Sequence, residues 1–183
     1  MRAERVELSG WGRTAPSVAS LVDVMPSELR TGDVTPEGLD GGRGVIARGL
    51  GRSYGDPAQN GGGTVVRVGP GAIVLDDERG TVRVGAGVSL DELLRHIVPR
   101  GWFVPVTPGT RFVTVGGCLA SDIHGKNHHA DGSFGAHVAA MSMMLADGEI
   151  VEITPASDPD LWWATIGGMG LTGIVLDAVV RLI

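Results

Sequence analysis

Several residue types are scarce in this sequence, and their scarcity excludes whole classes of protein. The 183 residues contain one cysteine, Cys118, which excludes an internal disulfide and a multi-cysteine metal site. Because its neighbours are small and apolar, we expect Cys118 to be a buried structural thiol. No apolar stretch reaches the roughly 18 residues of a membrane helix, and the N-terminus MRAERVELSGWGR lacks the apolar region of a secretion signal. We therefore expect neither a membrane span nor a signal peptide.

Lysine and tyrosine are almost missing as well. Arginine supplies the positive charge at fourteen positions, whereas Lys126 is the single lysine and Tyr54 the single tyrosine. A net charge of −6 without a run of Lys or Arg argues against nucleic acid or an anionic membrane surface as a partner. Any phosphate must therefore be bound by a local site.

Glycine, in contrast, is abundant. The chain has thirty glycines, about twice the average share, and they cluster at residues 41–71, 101–117 and 167–173. Because apolar segments separate the clusters, we expect loops around a ligand and not a disordered tract.

The first cluster contains the loop RGLGRSYGDPAQNGGG, which follows a predicted buried strand at 44–47. Its glycines would place successive backbone N–H groups around a concave site suited to a pyrophosphate. Arg48 and Arg52 can add charge, and Ser53 and Tyr54 can add hydroxyl groups. A P-loop would need a lysine here, and a Rossmann loop would need a helix where a proline stands. A plain glycine-rich connection between strands is the alternative.

The second cluster opens the stretch PVTPGTRFVTVGGCLASDIHGKNHH, residues 105–129. Its glycine pair, Gly116 and Gly117, enters a short helical turn whose first amides would face an anion. The stretch ends on a polar cluster that holds His124 and Lys126, so a proton carrier and the only ammonium group lie close together.

Three histidines of this cluster must also be weighed as metal ligands. His124, His128 and His129 could bind an ion, but no carboxylate follows at a suitable spacing. We therefore expect no metal site, and we expect His96 and His137 to be ordinary helix-surface and strand-end residues.

Hydrophobic periodicity predicts a series of short elements. A capping box, Ser89 with Glu92, begins one helix, and Asp158 caps another. Residues 19–40 stay unassigned because prolines and glycines interrupt any long helix. The predicted strands are 64–68, 73–75, 81–84, 102–106, 138–145, 149–154 and 174–183, and the predicted helices are 90–98 and a helix that follows 158–159.

Four motifs together resemble a known family. GRGVIARGLGRSYGD, NGGG, PVTPGTRFVTVGGCLASDIHGKNHH and ATIGGMGLTGIV are similar to the FAD-binding domain of the vanillyl-alcohol oxidase and p-cresol methylhydroxylase (PCMH) type. The resemblance covers about residues 8–183, with residues 19–40 poorly matched, and implies an α+β fold of two subdomains, about 8–105 and 106–183, with the FAD between them. Members carry a substrate-binding domain after the FAD domain, which we expect to be absent from this chain.

The resemblance also implies which residues bind the cofactor. The first loop would hold the FAD pyrophosphate, the second would form another cofactor loop, and Val175 would add a backbone contact. Many members attach the flavin to a histidine at the position of Arg52, so non-covalent FAD is implied. The implied cofactor-binding residues are Ala47, Arg48, Gly49, Leu50, Gly51, Arg52, Ser53, Tyr54, Gly55, Asp56, Pro57, Gly109, Thr114, Val115, Gly116, Gly117, Ser121, Asp122, Ile123, His124 and Val175.

Within the family, RGLGRSYGD and DIHGKNHH resemble members that oxidise the 2-hydroxyl of a polyprenylphosphoryl-ribose for cell-wall arabinan synthesis. The implied activity is that of an FAD-dependent alcohol oxidoreductase. Its implied substrate is a polyprenyl-phosphate sugar, its implied partner is an NAD(P)H-dependent reductase, and its implied location is the cell envelope (periplasm), with the cytoplasm as the alternative.

The resemblance also implies catalytic roles for three residues. His124 would orient the substrate or handle its hydroxyl proton, Lys126 would contact a phosphate or the flavin, and Tyr54 would form part of the substrate-side wall. A role for His124 and Lys126 in ordering their loop is the alternative. The alternative functions are a catalytically incomplete FAD-binding module and an oxidase of alditols or sugar acids.

Overall fold

The computed structural model describes residues 3–39 and 42–183. Met1 and Arg2 lie outside the described residues, as do Asp40 and Gly41, which belong to the unassigned segment and to the first glycine cluster. The described residues combine helices and sheets, as the predicted α+β class requires.

Short strands and helices make up the described part of the chain. The strands are β1 (Glu4–Leu8), β2 (Ser17–Val24), β3 (Val45–Ala47), β4 (Thr64–Val68), β5 (Ile73–Asp76), β6 (Thr81–Gly85), β7 (Val138–Met144), β8 (Ile150–Ile153) and β9 (Ile174–Arg181). The helices are α1 (Pro26–Thr31), α2 (Pro36–Leu39), α3 (Leu90–Ile97), α4 (Val115–Ala120), α5 (His128–Asp131) and α6 (Pro159–Thr165).

The first sheet has the strand order β1-β2-β4-β3 among the described residues. Strands β2 and β3 both run parallel to β4, so the carboxyl ends of all three strands lie at the same end of the sheet. In sheets with parallel strands, ligands bind beyond the carboxyl ends of the strands. Strand β1 pairs antiparallel with β2 and forms the outer edge of the sheet.

The second sheet has the order β5-β6-β9-β7-β8 among the described residues, with antiparallel pairing in each pair of neighbours. Its apolar core includes Leu93 of α3, Leu119 of α4 and Trp162 of α6, all fully buried. Each such large side chain contributes about 1.5–3 kcal/mol on burial. This core fixes α4, whose first turn faces the first sheet.

A second apolar core joins the two sheets. Val22 and Val66 of the first sheet pack with Leu29 of α1 and with Met144 and Leu176 of the second sheet. All five are buried. The two sheets therefore pack against each other through an apolar seam formed by these residues.

Helix α3 begins where the sequence predicts. The Ser89 hydroxyl accepts a bond of 3.2 Å from the Glu92 amide, and the Ser89 amide donates to the Glu92 carboxylate at 2.9 Å. These bonds confirm the predicted capping box. Asp158 likewise caps α6 by accepting from the Leu161 amide at 3.0 Å.

One segment left unassigned has regular structure, and one local prediction is wrong. The unassigned segment contains most of strand β2 together with α1 and α2, because Pro26 begins a short helix directly after an alternating strand. Residues 102–106 are not a strand: Phe103 exchanges two backbone bonds with Ile183, at 2.8 and 2.9 Å, and Pro105 lacks the amide to continue the pairing.

The two sheets divide the chain between β4 and β5, whereas the resemblance sets the subdomain boundary near residue 105. The subdomain boundary itself stays a prediction. No helix among the described residues is long and apolar enough to cross a membrane.

Candidate cofactor site

A cavity of about 470 Å³ lies between the first sheet and helix α4. One wall follows the carboxyl ends of β2, β3 and β4, and the other is formed by residues 86–87, by the first turn of α4 and by segment 169–175. Glycines of all three clusters line it, namely Gly49, Gly69, Gly116, Gly117, Gly170 and Gly173. The structure therefore brings the three clusters together.

A second, more open space of about 960 Å³ adjoins the cavity. The two share Ala47, Pro57, Ala58, Gly170 and Gly173. Small-molecule and cofactor sites occupy about 300–1,000 Å³. The combined space is therefore large enough for a dinucleotide.

The first loop offers backbone donors to this space. Among the described residues, the amides of residues 49–55 donate to no protein acceptor. Gly51 and Gly55 have φ values of +67° and +72°, which turn the chain in a way that side chains other than glycine disfavour. Consecutive unpaired amides in such a bent loop form a nest for an anion.

Arg48 brings positive charge to the same wall. Its guanidinium donates to the Ser9 carbonyl at 2.6 Å and to the Ala58 carbonyl at 2.9 Å, and no carboxylate pairs with it among the described residues. Partial burial lowers the pKa of Arg48. A cation held partly out of water beside a cavity is stabilised by a bound anion.

The amides at the start of α4, in the second loop, already have hydrogen-bond acceptors, which differs from the prediction. The Val115 amide donates to the Val88 carbonyl at 2.9 Å and the Gly116 amide to the Ala86 carbonyl at 2.8 Å. The Gly117 amide donates to the Thr114 hydroxyl at 3.1 Å. The first amides of α4 are therefore already paired, and they are not the free anion donors that the glycine pair suggested. Gly116 and Gly117 line the cavity as a surface without side chains.

Close backbone packing explains several of these glycines. A Cβ built at Gly87 would overlap the carbonyl oxygens of Val68 and Gly69, and a Cβ at Gly49 would overlap the Thr114 hydroxyl. The walls of the cavity approach each other too closely for larger residues at these points.

The segment after α4 leads away from the cavity. Ser121 lines the cavity, and Asp122 accepts a bond of 2.9 Å from the Gly135 amide. His124 is exposed, and its ring meets the ring of His128 edge-on, with the centroids 5.3 Å apart. Lys126 is exposed and forms no ion pair among the described residues. These groups lie at the surface beyond the α4 end of the cavity.

The first loop also places two predicted side chains outside the cavity. Tyr54 is 83% exposed. Arg52 lies over the ring of Trp11, 5.2 Å from its centroid, and donates to the Leu50 carbonyl at 2.7 Å. Neither side chain lines the cavity. Arg52 thus stabilises the conformation of the loop through these two contacts.

The predicted cofactor residues fall into two groups by position. Those that line the cavity are Ala47, Arg48, Gly49, Leu50, Ser53, Pro57, Thr114, Gly116, Gly117, Ser121 and Val175. Those that do not are Gly51, Arg52, Tyr54, Gly55, Asp56, Gly109, Val115, Asp122, Ile123 and His124. Cys118 is buried, as predicted, and burial raises the pKa of its thiol.

Sequence reasoning missed part of the cavity wall. Met25 and Glu28 at the start of α1 line it, as do Ala86 and Gly87 after β6 and Gly170 in the third cluster. A glycine turn, GAG at the end of β6, marks Ala86 and Gly87 in the sequence but does not indicate that they reach the cavity, and Met25 and Glu28 carry no such signal.

Comparison with known proteins identifies relatives that bind FAD or are oxidoreductases by name. The sequence pattern described as FAD binding domain matches residues 40–154. Decaprenylphosphoryl-beta-D-ribose oxidase of Mycolicibacterium smegmatis is 55% identical over 178 residues, which are 96% of this chain and 39% of the oxidase.

Two more distant relatives match a smaller part of the chain. Human Delta(24)-sterol reductase is 30% identical over 109 residues, or 60% of this chain and 21% of the reductase. D-lactate dehydrogenase of Anaerostipes hadrus is 31% identical over 113 residues, or 59% of this chain and 24% of the dehydrogenase. The chain thus spans well under half the length of each of these relatives.

Proposed function

The chain belongs to the FAD-binding domain family and its cofactor is FAD, and from this premise we propose that it is the flavin-binding part of an FAD-dependent oxidoreductase. In this proposal the enzyme oxidises the 2-hydroxyl of decaprenylphosphoryl-β-D-ribose to a ketone in arabinan precursor synthesis. The observation that supports this choice of substrate is the 55% identity to the mycobacterial oxidase over 96% of this chain.

The first loop binds the cofactor diphosphate in this proposal. The unpaired amides of residues 49–55 and the guanidinium of Arg48 supply donors and charge. Arg52 stands where related proteins attach the flavin to a histidine. Because an arginine does not form that bond, the FAD is non-covalent in this proposal. Bound FAD supplies the acceptor for the hydride that leaves the carbinol carbon.

The exposed cluster beyond Ser121 handles the substrate. We assign the proton of the substrate hydroxyl to an imidazole nitrogen of His124, and the phosphate contact to Lys126 Nζ. The lack of an ion pair at Lys126 among the described residues leaves its ammonium free for an anionic group. Tyr54, also exposed, would contribute to the substrate-side wall.

The polyprenyl phosphate suggests where the protein works and with which partner. A lipid-anchored substrate supports a location at the cell envelope, on the periplasmic side, with the cytoplasm as the alternative. The 2-keto product needs reduction to complete an epimerisation, which supports an NAD(P)H-dependent reductase as partner. A substrate-binding domain would lie outside these 183 residues.

A second candidate is an FAD-binding module without catalysis of its own. The observation that favours it is that the predicted catalytic residues Tyr54, His124 and Lys126 do not line the cavity. The two candidates differ in whether substrate reduces the bound flavin.

Anaerobic mixing of the purified, FAD-loaded chain with a synthetic polyprenylphosphoryl-ribose tests the proposal. We expect bleaching of the flavin absorbance and formation of a keto sugar. His124→Ala should slow bleaching by about 10²-fold or more, whereas His129→Ala, a change of the same kind in the adjoining helix α5, should keep the parent rate.

The outcomes separate the two candidates. A yellow chain whose flavin no sugar phosphate or polyol bleaches would favour the module. A His124→Ala variant that bleaches at the parent rate would end the proton-handling assignment. A folded chain that takes up no flavin would contradict the family's cofactor.

A further inference from the structure

Residues 9–11, between strands β1 and β2, contact the first glycine loop, residues 48–55. Strand β1 is held to β2 by antiparallel pairing from Glu4 to Leu8. It delivers residues 9–11 directly to the loop of residues 48–55. These residues lie outside the part of the chain that the family pattern matches, which begins at residue 40.

Two hydrogen bonds join the segment to the loop. The Trp11 amide donates to the Ser53 carbonyl at 2.9 Å, and the Ser9 carbonyl accepts from Arg48 at 2.6 Å. Since Arg48 also donates to the Ala58 carbonyl at 2.9 Å, its guanidinium joins the segment to the chain just beyond the loop as well.

Gly10 lies between these two bonds and contacts the loop backbone. A Cβ built there would overlap the Gly55 carbonyl and would lie 3.1 Å from the Ser53 carbonyl. Gly10 is buried, and its own carbonyl accepts from the Arg13 amide at 3.1 Å, which closes a turn. Gly12, two residues on in the same turn, differs: a Cβ there would meet only the Thr14 side chain, at 3.6 Å.

The Trp11 side chain adds a third contact. Its ring lies under the Arg52 guanidinium at 5.2 Å, a cation–π contact. Arg52 in turn donates to the Leu50 carbonyl at 2.7 Å. Through Arg52, the ring therefore supports the loop beside Leu50, which lines the cavity.

We propose that residues 9–11, which we name the N-terminal brace, are a positioning element that holds the 48–55 loop in its FAD-binding shape. The loop's own amides have no internal partners among the described residues to fix that shape. The brace contacts the loop's carbonyls and side chains instead, so it leaves the amides for the diphosphate. The inference rests on the proposed cofactor role of this loop.

Gly10→Ala in the full chain tests the brace, with Gly12→Ala as the matched control. The added methyl group at residue 10 must displace the Gly55 carbonyl, so we expect FAD to bind about tenfold more weakly because the loop is no longer preorganised. Because the overlapping atom belongs to the backbone, the melting temperature of the FAD-free form should fall as well, so the affinities are compared at a temperature at which both chains are folded. Gly12→Ala should match the parent in both measurements.

Trp11→Ala and Trp11→Phe provide a second, independent pair. Trp11→Ala should speed FAD dissociation and alter the visible circular dichroism of the bound flavin. Trp11→Phe, which keeps a ring under Arg52, should restore both values toward those of the parent. This pair decides the question if Gly10→Ala does not fold.

The results distinguish the brace from the cofactor assignment. Equal FAD affinity in the parent and Gly10→Ala, or equal dissociation rates in Trp11→Ala and Trp11→Phe, would overturn the brace while leaving the cofactor in place. A folded parent that binds no FAD would overturn the cofactor assignment, and the brace with it.

Discussion

Gly49 and Thr114 meet where the first glycine loop crosses the beginning of α4. The Thr114 hydroxyl caps α4 by accepting from the Gly117 amide at 3.1 Å, and a Cβ at residue 49 would overlap the same hydroxyl. We expect Gly49→Ala to lower the free energy of unfolding by about 1–3 kcal/mol through overpacking, and to weaken FAD binding. Chemical denaturation and flavin titration measure the two effects.

A double-mutant cycle identifies the cause. In the parent, Thr114→Ala removes the cap and should cost about 1 kcal/mol. In the Gly49→Ala background the same change also removes the overlapping hydroxyl, so its cost should shrink or change sign. Strict additivity of the two changes would show that the two residues do not compete for this space.

The capping box of α3 is the element whose strength depends on pH. Hydrogen bonds from the Ser89 amide and then from its hydroxyl lower the pKa of Glu92 below its ordinary value of 4.5. A group whose pKa is lowered by folding stabilises the fold above its unfolded-state pKa. This contribution is lost as the pH falls through the lower, folded-state pKa.

Replacement of Glu92 by glutamine tests that dependence. At neutral pH, Glu92→Gln should unfold at lower denaturant than the parent, and Ser89→Ala should cost about 1 kcal/mol. As the pH falls below 4.5, the difference between the parent and Glu92→Gln should disappear. A difference that stays constant from neutral to acidic pH would contradict a contribution from the charged carboxylate.

Elements with strong local signals could be predicted from the sequence, and elements set by tertiary contacts could not. Helix α3 has its own cap and an apolar face, so its bounds follow from residues 89–98. Strand β2 has the alternation of a strand, but Pro26 and Gly32 follow it closely, so local patterns leave residues 19–40 unassigned. Its parallel pairing with β4 is a long-range contact that periodicity does not encode.

The same division holds for the candidate site. The first loop could be predicted because its glycines and Arg48 carry recognisable anion-binding chemistry. Ala86 and Gly87 could not, because they contribute only backbone surface, and their place in the wall depends on how the two sheets meet. The paired amides of α4 were unpredictable for a related reason, since their acceptors lie in that same distant loop.

At the scale of the whole molecule, an ionic network links helix α1 to the second sheet. The Asp177 carboxylate on β9 pairs with Arg30 of α1 and, at 2.7 Å, with Arg83 of β6. Arg83 also pairs with Glu152 of β8 at 2.9 Å. The Asp177 side chain is 15% exposed, whereas that of Glu152 is 56% exposed. Asp177 therefore holds α1, whose residue Glu28 lines the cavity, against the second sheet.

Neutralising the half-buried Asp177 and the exposed Glu152 of this network should have unequal effects. Asp177→Asn leaves Arg30 and Arg83 without their shared carboxylate and should lower the free energy of unfolding by about 1–3 kcal/mol, while Glu152→Gln should cost about 0–1 kcal/mol. Because Asp177 pairs with Arg30 of α1 and Glu152 does not, amide exchange in α1 should rise in Asp177→Asn and stay at the parent level in Glu152→Gln. FAD affinity should follow amide exchange in α1, since α1 forms part of the cavity wall. Equal exchange in the two variants would mean that the apolar seam alone, and not the ion pair, holds α1 at the cavity.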